Sequence, residues 1–229
     1  MKNRCPIWFL LGVTILASHA TAAAQQLHPK LKSKEVAIRK VIILPPKIEI
    51  VRQGMKGGEG MLKESAEVSA AVHKMVAQAF RDKKMEALDG PSAPEAAQEN
   101  ETQRHSLADV QNRYDTLAAN LFKKPKDVNK GRFTMGDEVV NFNPDGAADA
   151  LVFIRGSGTE LTGGKKTFGI LVYGATRSSL FFTISLVDAR TGDVLYLANV
   201  RALGNIVKET EKTLAKPLAK SLKKLPAAL

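Results

Sequence analysis

Two apolar runs separated by a short polar segment dominate the hydrophobic pattern of the chain. The runs are 180–187, LFFTISLV, and 194–200, VLYLANV, and the segment 188–193 between them contains one glycine. Apolar runs around such a turn are typical of a β-hairpin. Because Ser185 interrupts the first run and Asn199 the second, we expect both strands to be buried on most of both sides. The hairpin is therefore predicted to lie in the middle of a covered sheet.

Shorter apolar runs predict further strands. Residues 41–44 form one, and Pro45-Pro46 interrupt it because proline has no N–H to donate. Ile48 and Ile50 then continue it in alternation with polar residues. The other segments are 150–161, beginning ALVFI; 167–173, TFGILVY, after a turn at 163–166; and 85–88, either a short strand or the exit from a helix.

Three segments have apolar residues at the three- and four-residue spacing of an amphipathic helix. They are 62–80, with Val68, Val72, Met75, Val76, Ala79 and Phe80; a helix from Ser106, with Leu107, Val110, Tyr114, Leu117, Leu121 and Phe122; and a helix from Asn205, with Val207, Leu214, Leu218, Leu222 and Leu225. We expect Pro217 to kink or interrupt the last helix, because proline cannot make the helical hydrogen bond.

These elements predict an α/β fold, with a mixed central β-sheet, helices packed on it, and a C-terminal β-hairpin followed by a helix. Residues 25–40 are polar and basic and are predicted to be a loose lead-in, and 41–229 form a single α/β domain. Four glycines at 53–60 predict a flexible loop. Residues 90–105, GPSAPEAAQENETQRH, predict a flexible linker or insertion, because they offer almost nothing to bury.

The first 24 residues have the pattern of a cleavable signal peptide. Lys2 and Arg4 precede the apolar run 6–17, which is too short for a membrane-spanning helix of about 20 residues. An alanine-rich site follows, and cleavage is predicted after Ala22 or Ala24. The alternatives are an uncleaved anchor and a buried core helix. The pattern predicts export to the periplasm.

The single cysteine, Cys5, lies before the apolar run. Lipidation needs a cysteine directly after such a run, so we do not expect a lipid anchor. The chain beyond the predicted signal has no cysteine, which excludes disulfides, thiolate metal ligands and thiol nucleophiles there.

The charge pattern restricts the partners. The formal net charge is +11, and lysines concentrate near both ends of the predicted mature chain. For an exported protein, the acidic partners are anionic phospholipid, lipopolysaccharide and peptidoglycan carboxylates. Nucleic acid is not expected, because it lies in another compartment and because Phe181 and Phe182 are better explained by the core. The alternative is a solvated lysine-rich surface with no specific partner.

No residue is predicted to be catalytic, to bind a cofactor or to bind a metal. His28, His73 and His105 show no metal-ligand spacing. The segment 156–167, GSGTELTGGKKT, lacks the Ser or Thr that a phosphate-binding loop needs after its lysine. Asp188 and Asp193 are predicted to shape the hairpin turn. We therefore expect a protein that is not an enzyme.

Several segments together resemble a known group. They are VIILPPKIEI, the helix ESAEVSAAVHKMVAQAF, ADALVFIRGSGTEL and SLVDARTGDVLYLANV. The residues that match the motifs of the group are Leu44-Pro45, 148–152, 186–188 and 191–195. In this order they resemble bacterial envelope proteins related to the curli secretion channel subunit, the TolB amino-terminal domain and the lipoprotein activators of penicillin-binding proteins. The resemblance implies a three-layer-like α/β domain without enzymatic activity, which works by protein contact at the inner face of the outer membrane.

Two departures from that group matter. The chain lacks the lipidation cysteine of several relatives, and 163–178 is too short for a long membrane-spanning hairpin. We expect a periplasmic protein-binding or assembly module of the envelope. The alternative is a peripheral membrane protein attached to anionic lipid through its lysine-rich C-terminal helix, unless that helix packs on the sheet. The partner and the oligomeric state stay open.

Overall fold

The central sheet is mixed and carries helices on both faces, as predicted. A computed structural model describes residues 25–54, 57–90, 101–143, 146–161 and 178–228. Its described strands form one eight-stranded sheet. They are β1 (Gln25–Leu27), β2 (Lys40–Ile43), β3 (Lys47–Gly54), β4 (Gly57–Gly60), β5 (Glu86–Asp89), β6 (Ala150–Leu161), β7 (Ser179–Asp188) and β8 (Val194–Leu203).

The described helices have both long and short members. The α-helices are α1 (Pro29–Lys32), α2 (Leu62–Asp82), α3 (Glu101–Lys123) and α4 (Thr210–Ser221), and two 3₁₀ helices cover Pro125–Lys130 and Asp137–Phe142. None of the described helices is both long enough and apolar enough to cross a membrane.

Strand β6 is the axis of the sheet. It pairs antiparallel with β7 along one side, while β2 and β3 lie one after the other, both parallel to β6, along its other side. Leu44 N still donates to Val152 O at 3.0 Å, and Pro45-Pro46 then interrupt the ladder, as predicted. The sheet forks at this break, because β2 before it pairs with β5 and β3 after it pairs with β4.

The predicted hairpin is confirmed as β7 and β8. Asp188 shapes its turn, since Asp188 Oδ1 accepts hydrogen bonds from Arg190 N at 2.8 Å and Thr191 N at 3.1 Å. Gly192 adopts a φ of 73°, and a Cβ there would lie 2.2 Å from Gly136 O. Glycine is therefore required at this turn.

Two hydrophobic clusters lie on opposite faces of the sheet. Helices α2 and α4 cover one face, and the main buried residues there are Val68, Val72, Val76, Phe80, Leu214, Leu218, Ile43, Val152, Ile154 and Phe182. Helix α3 and the 3₁₀ helices cover the other, with Val110, Tyr114, Leu121, Val128, Val139, Leu151 and Phe153. Burial of both faces explains why the central strands are apolar throughout.

The C-terminal helix packs on the sheet. Its predicted apolar residues Leu214, Leu218, Leu222 and Leu225 are all buried in the core. The helix begins at Thr210, later than predicted, and Pro217 lies within it without ending it. Because its apolar face is already covered, that face is not free to enter a lipid surface.

The prediction of a loose lead-in at 25–40 is wrong for part of that segment. Strand β1 pairs antiparallel with β8, with Gln25 opposite Ala198. Leu27 N donates to Asn129 Oδ1 at 2.9 Å, and His28 N donates to Leu195 O at 2.9 Å. Backbone pairing and side-chain amides hold this segment, so its polar sequence shows no hydrophobic pattern.

Other boundaries also differ from the predictions. The expected loop at 53–60 is largely the β3–β4 pairing, and 85–88 is a strand rather than a helix exit. Helix α3 starts at Glu101, so the end of the predicted linker is helical. The predictions for 1–24, 91–100, 163–166 and 167–173 lie outside the described residues.

Candidate functional site: a groove beside strand β5

Strand β5 lies at an edge of the sheet. Glu86 N donates to Arg39 O at 2.7 Å and Gly90 N donates to Ile43 O at 2.9 Å, so these residues face β2. Because alternate residues of a strand direct their backbone groups to opposite sides, Ala87 and Asp89 face away from β2. None of the described strands pairs with that side. An edge of this kind is a template for pairing with another chain.

A groove of about 360 Å³ separates α2 from this edge. Its lining residues are Ala70, His73, Lys74, Ala77, Arg81 and Asp89. Ala70 and Ala77 lie three or four residues before and after His73 and Lys74, so all four side chains are neighbours on one face of α2. The small alanine side chains leave space between the helix and the strand. The groove therefore exists because α2 presents alanine where a larger residue would fill it.

Polar contacts hold α2 to β5 across the groove. His73 Nε2 lies 2.9 Å from Asp89 Oδ1. Arg81 Nη2 donates to Ala87 O over a long 3.4 Å, which covers one outward backbone group of the strand. Lys74 Nζ lies 3.6 Å from Glu211 Oε1 in the first turn of α4, and both side chains are largely exposed. Exposed pairs of this kind contribute little stability, so they can be exchanged for contacts with a partner.

His28 and Asp193, two of the residues considered for chemistry, have structural roles. His28 is buried before α1, where its Nδ1 accepts a hydrogen bond from Lys30 N at 3.2 Å. Burial lowers the pKa of His28, with the nearby Asp193 opposing that shift. Lys30 Nζ pairs with Asp193 Oδ2 at 2.8 Å and joins α1 to the hairpin turn. The prediction for His105 lies outside the described side chains.

The glycines of the motif at 156–167 belong to strand β6. A Cβ at Gly156 would lie 2.4 Å from Phe182 Cβ, and one at Gly158 would lie 2.6 Å from Ile50 Cδ1. Close packing between neighbouring strands and core side chains therefore explains both glycines. Residues 162–167 of the motif lie outside the described part of the chain.

A buried polar network under α3 was not predicted from the sequence. The Tyr114 hydroxyl and Ser185 Oγ are 2.6 Å apart, and the Tyr114 ring stacks on Phe153 with centroids 4.2 Å apart. Arg155 Nε donates to Asp115 Oδ1. Burial alone raises the pKa of Asp115, but hydrogen bonds from Arg155 and then Lys47 outweigh it and lower that pKa. The network joins α3 to three strands, so its role is to stabilise the packing of the helix on the sheet.

The described residues contain no cluster of three or more histidine, cysteine, aspartate or glutamate side chains that could hold a metal ion. Within the described chain the groove beside β5 is therefore the strongest candidate site, and its chemistry suits binding. The helical pattern of the sequence predicts His73 on α2 but does not predict its contact with Asp89. The signal for the groove was the pair of alanines on one helix face, which is common in helices and points to no site by itself.

Comparisons with known proteins give structural similarity only. No protein-family model matches the chain, and no curated protein matches its sequence. Among solved structures, the PelC dodecamer from Paraburkholderia phytofirmans matches at 12% identity and a TM-score of 0.45, over 90% of this chain and 98% of that chain. Lipoprotein GNA1162 from Neisseria meningitidis matches at 13% identity and a TM-score of 0.36, over 81% and 96%.

The LpoB C-terminal domain from Salmonella enterica matches at 10% identity and a TM-score of 0.28, over 76% of this chain and 94% of that chain. All three come from bacteria, and one is described as a lipoprotein. Because every TM-score is below 0.5, no functional argument for this chain rests on them.

Proposed function

We propose that the protein is exported to the periplasm and acts there, without catalysis, by binding other proteins of the cell envelope. The observation that carries the proposal is the outer side of β5, with which none of the described strands pairs, next to the groove under α2. An open strand edge offers backbone donors and acceptors, and the groove offers space for side chains. This combination is the ordinary basis of peptide recognition by a sheet.

The sequence supports export. The first 24 residues have the order of a secretory signal: a basic start, a short apolar run and an alanine-rich end. Cleavage after Ala22 or Ala24 leaves a chain whose first strand, β1, follows at once. The absence of cysteine after Cys5 also suits an oxidising compartment, where a free thiol is a liability.

The contacts of the described polar residues support a binding role over a catalytic one. Asp188 bonds backbone amides in a turn, Asp193 pairs with Lys30, and the Tyr114 hydroxyl bonds Ser185 in the core. A catalytic group needs a cleft and access to substrate. These side chains instead connect elements of the fold.

Attachment to anionic lipid through the C-terminal helix is the weaker proposal. An interfacial helix inserts its apolar face between lipids. In α4 that face is represented by Leu214 and Leu218, which are buried against the sheet and α2. Its lysines lie on the outside together with Glu211, Ala215 and Ala219, and they support at most a loose electrostatic association.

Fractionation and crosslinking in cells test the proposal. After osmotic shock, the protein is expected in the periplasmic fraction at the mass of a chain cleaved after Ala22 or Ala24. Chemical crosslinking in those cells is expected to capture an envelope protein, identified by mass spectrometry, with the native chain but not with a Lys74→Glu/Arg81→Glu variant. Retention in the cytoplasm, or equal capture by the variant, would overturn the proposal.

A further inference from the structure

We propose that β5 binds an extended segment of a partner protein as an added β-strand, and that this segment carries carboxylates facing Lys74 and Arg81. This inference rests on the proposed function and deepens it, because it names the mode of binding and the chemistry of the partner. Three features of the groove carry it: the outward backbone groups of β5, the space under α2, and the pairing of the charges around it.

The backbone of β5 is ready to pair. Ala87 and Asp89 direct their N–H and C=O groups away from β2, as the opposite orientation of Glu86 and Gly90 requires. Among these outward groups, Ala87 O has one described contact, the long hydrogen bond from Arg81. An incoming strand replaces that contact with a ladder hydrogen bond, and Arg81 becomes free to pair with the incoming side chains.

The space under α2 fits one row of side chains. An added strand lies about 4.8 Å from β5 and points every second side chain toward the helix face of the sheet. On that face β5 presents Ala87, which packs against the α2 core. The groove, with Ala70 and Ala77 in its walls, receives the side chains of the added strand that point the same way. The carboxylates of the segment are expected at those positions, because Lys74 and Arg81 line the same groove.

The charges around the groove favour an acidic segment. Both carboxylates of β5 are already paired: Glu86 with Lys40 at 3.0 Å, and Asp89 with His73 at 2.9 Å. The cations are held less firmly, since Arg81 has a neutral carbonyl partner and Lys74 an exposed carboxylate at 3.6 Å. Incoming carboxylates can therefore replace Glu211 at Lys74 and pair with Arg81, which has no described carboxylate partner.

The other forked edge is a poorer template. Strand β4 consists of Gly57, Gly58, Glu59 and Gly60, so it offers almost no side chains to select a partner. Glycine also makes a strand less favourable to order. The edge at β5 is the one where backbone, space and charge coincide.

Amide hydrogen exchange of the native chain tests the inference directly. The probe is a synthetic extended peptide of about eight residues, the length of an ordinary strand, with alternating valine and glutamate, and a matched peptide has lysine in place of glutamate. With the acidic peptide, exchange at the Ala87 and Asp89 amides is expected to slow, while exchange at Leu88, which faces β2, stays unchanged. Unchanged exchange at Ala87 and Asp89, or equal slowing with the lysine peptide, overturns the inference. So does protection of the Ala87 and Asp89 amides without any peptide, because the edge is then already covered.

Two pairs of variants separate backbone pairing from charge. Ala87→Pro removes an outward N–H without removing a donor to β2, and an edge strand tolerates proline at such a position; Ala87→Ser keeps the N–H. Lys74→Glu reverses a groove charge, and Lys63→Glu reverses an exposed charge elsewhere on α2. Ala87→Pro and Lys74→Glu are each expected to weaken binding of the acidic peptide by about tenfold, a change of about 1.4 kcal/mol, while both controls bind like the native chain. Native-like binding by folded Ala87→Pro overturns strand addition.

The outcomes distinguish this inference from the function on which it rests. If the groove variant Lys74→Glu/Arg81→Glu loses capture of an envelope protein in cells while the amides of β5 exchange unchanged on peptide binding, the protein binds partners here but not as an added strand. If the variant captures the envelope protein as well as the native chain does, and the amides of β5 also exchange unchanged, the proposed function fails as well.

Discussion

His73 and Asp89 join helix α2 to the open edge of the sheet, with His73 Nε2 2.9 Å from Asp89 Oδ1. The contact lies at the end of β5, where β2 is the only described strand that pairs with it. It therefore fixes the position of the edge relative to the helix that walls the groove. An edge held at a defined distance from a helix is a binding surface with a defined width.

Loss of this contact should loosen β5 without unfolding the domain. For His73→Ala we expect faster amide exchange at Leu88 and Gly90, whose N–H groups face β2. The free energy of unfolding should fall by less than about 1 kcal/mol, because Asp89 is exposed. His73→Gln, which retains a donor, is the matched control. Identical exchange rates in His73→Ala and the native chain would show that the contact does not position the strand.

The buried pair Tyr114–Ser185 should behave as a coupled unit. Tyr114→Phe leaves the Ser185 hydroxyl without its described partner in the core, and Ser185→Ala removes one of the two side-chain partners of the Tyr114 hydroxyl, the other being Thr183. Each is expected to lower the free energy of unfolding by about 1–2 kcal/mol. The double variant should cost less than the sum of the two, because no orphaned hydroxyl remains. Additive losses in a denaturant titration would contradict this hydrogen bond.

His28 should make stability depend on pH. Burial lowers the pKa of His28 below 6.5 in the folded chain. The unfolded chain therefore binds the proton more readily, so the stabilisation is present above pH 6.5 and is lost as the pH falls through the lower folded pKa. His28→Asn, which retains a side-chain acceptor before α1, should lack this component. Parallel pH profiles of unfolding free energy for the two proteins would contradict the assignment.

The apolar face of α4 should contribute to the core. Leu218→Ala is expected to lower the free energy of unfolding by about 2–5 kcal/mol, as is usual for a buried leucine. Lys216→Ala, on the exposed side of the same helix, should change it by less than about 0.5 kcal/mol. Flotation with anionic vesicles measures membrane binding and so tests the alternative role of the helix. If Leu218→Ala keeps full stability and instead loses vesicle binding, the helix serves the membrane and not the core.

The central sheet could be predicted because its strands bury both faces. The run 180–187 is apolar almost throughout, and the turn at 188–193 is polar, so the hairpin is visible in the sequence alone. Helix α2 was equally visible through its regular apolar spacing. Helices and strands that are held in place by burial of apolar side chains show a periodic apolar pattern in the sequence.

The edges of the sheet could not be predicted in the same way. Strand β1 is polar and is held by backbone pairing with β8 and by Asn129, while β4 is mostly glycine. Neither has a hydrophobic pattern to detect. The groove depends on the distance between α2 and β5. The two elements are adjacent in sequence, but their distance is set by how α2 packs on the sheet and by how β5 pairs with β2. Because open edges define the candidate site, the site was less predictable than the core.

Site-specific photocrosslinking in cells tests the central claim most directly. A photoreactive amino acid is placed at Lys74, within the groove, and in a control strain at Lys63, exposed on the same helix but outside the groove. After illumination and osmotic shock, the Lys74 position is expected to yield one discrete crosslinked envelope protein, identified by mass spectrometry, and the Lys63 position should not. Equal crosslinking from the two positions, or none from Lys74 in correctly exported protein, would contradict a partner-binding groove beside β5.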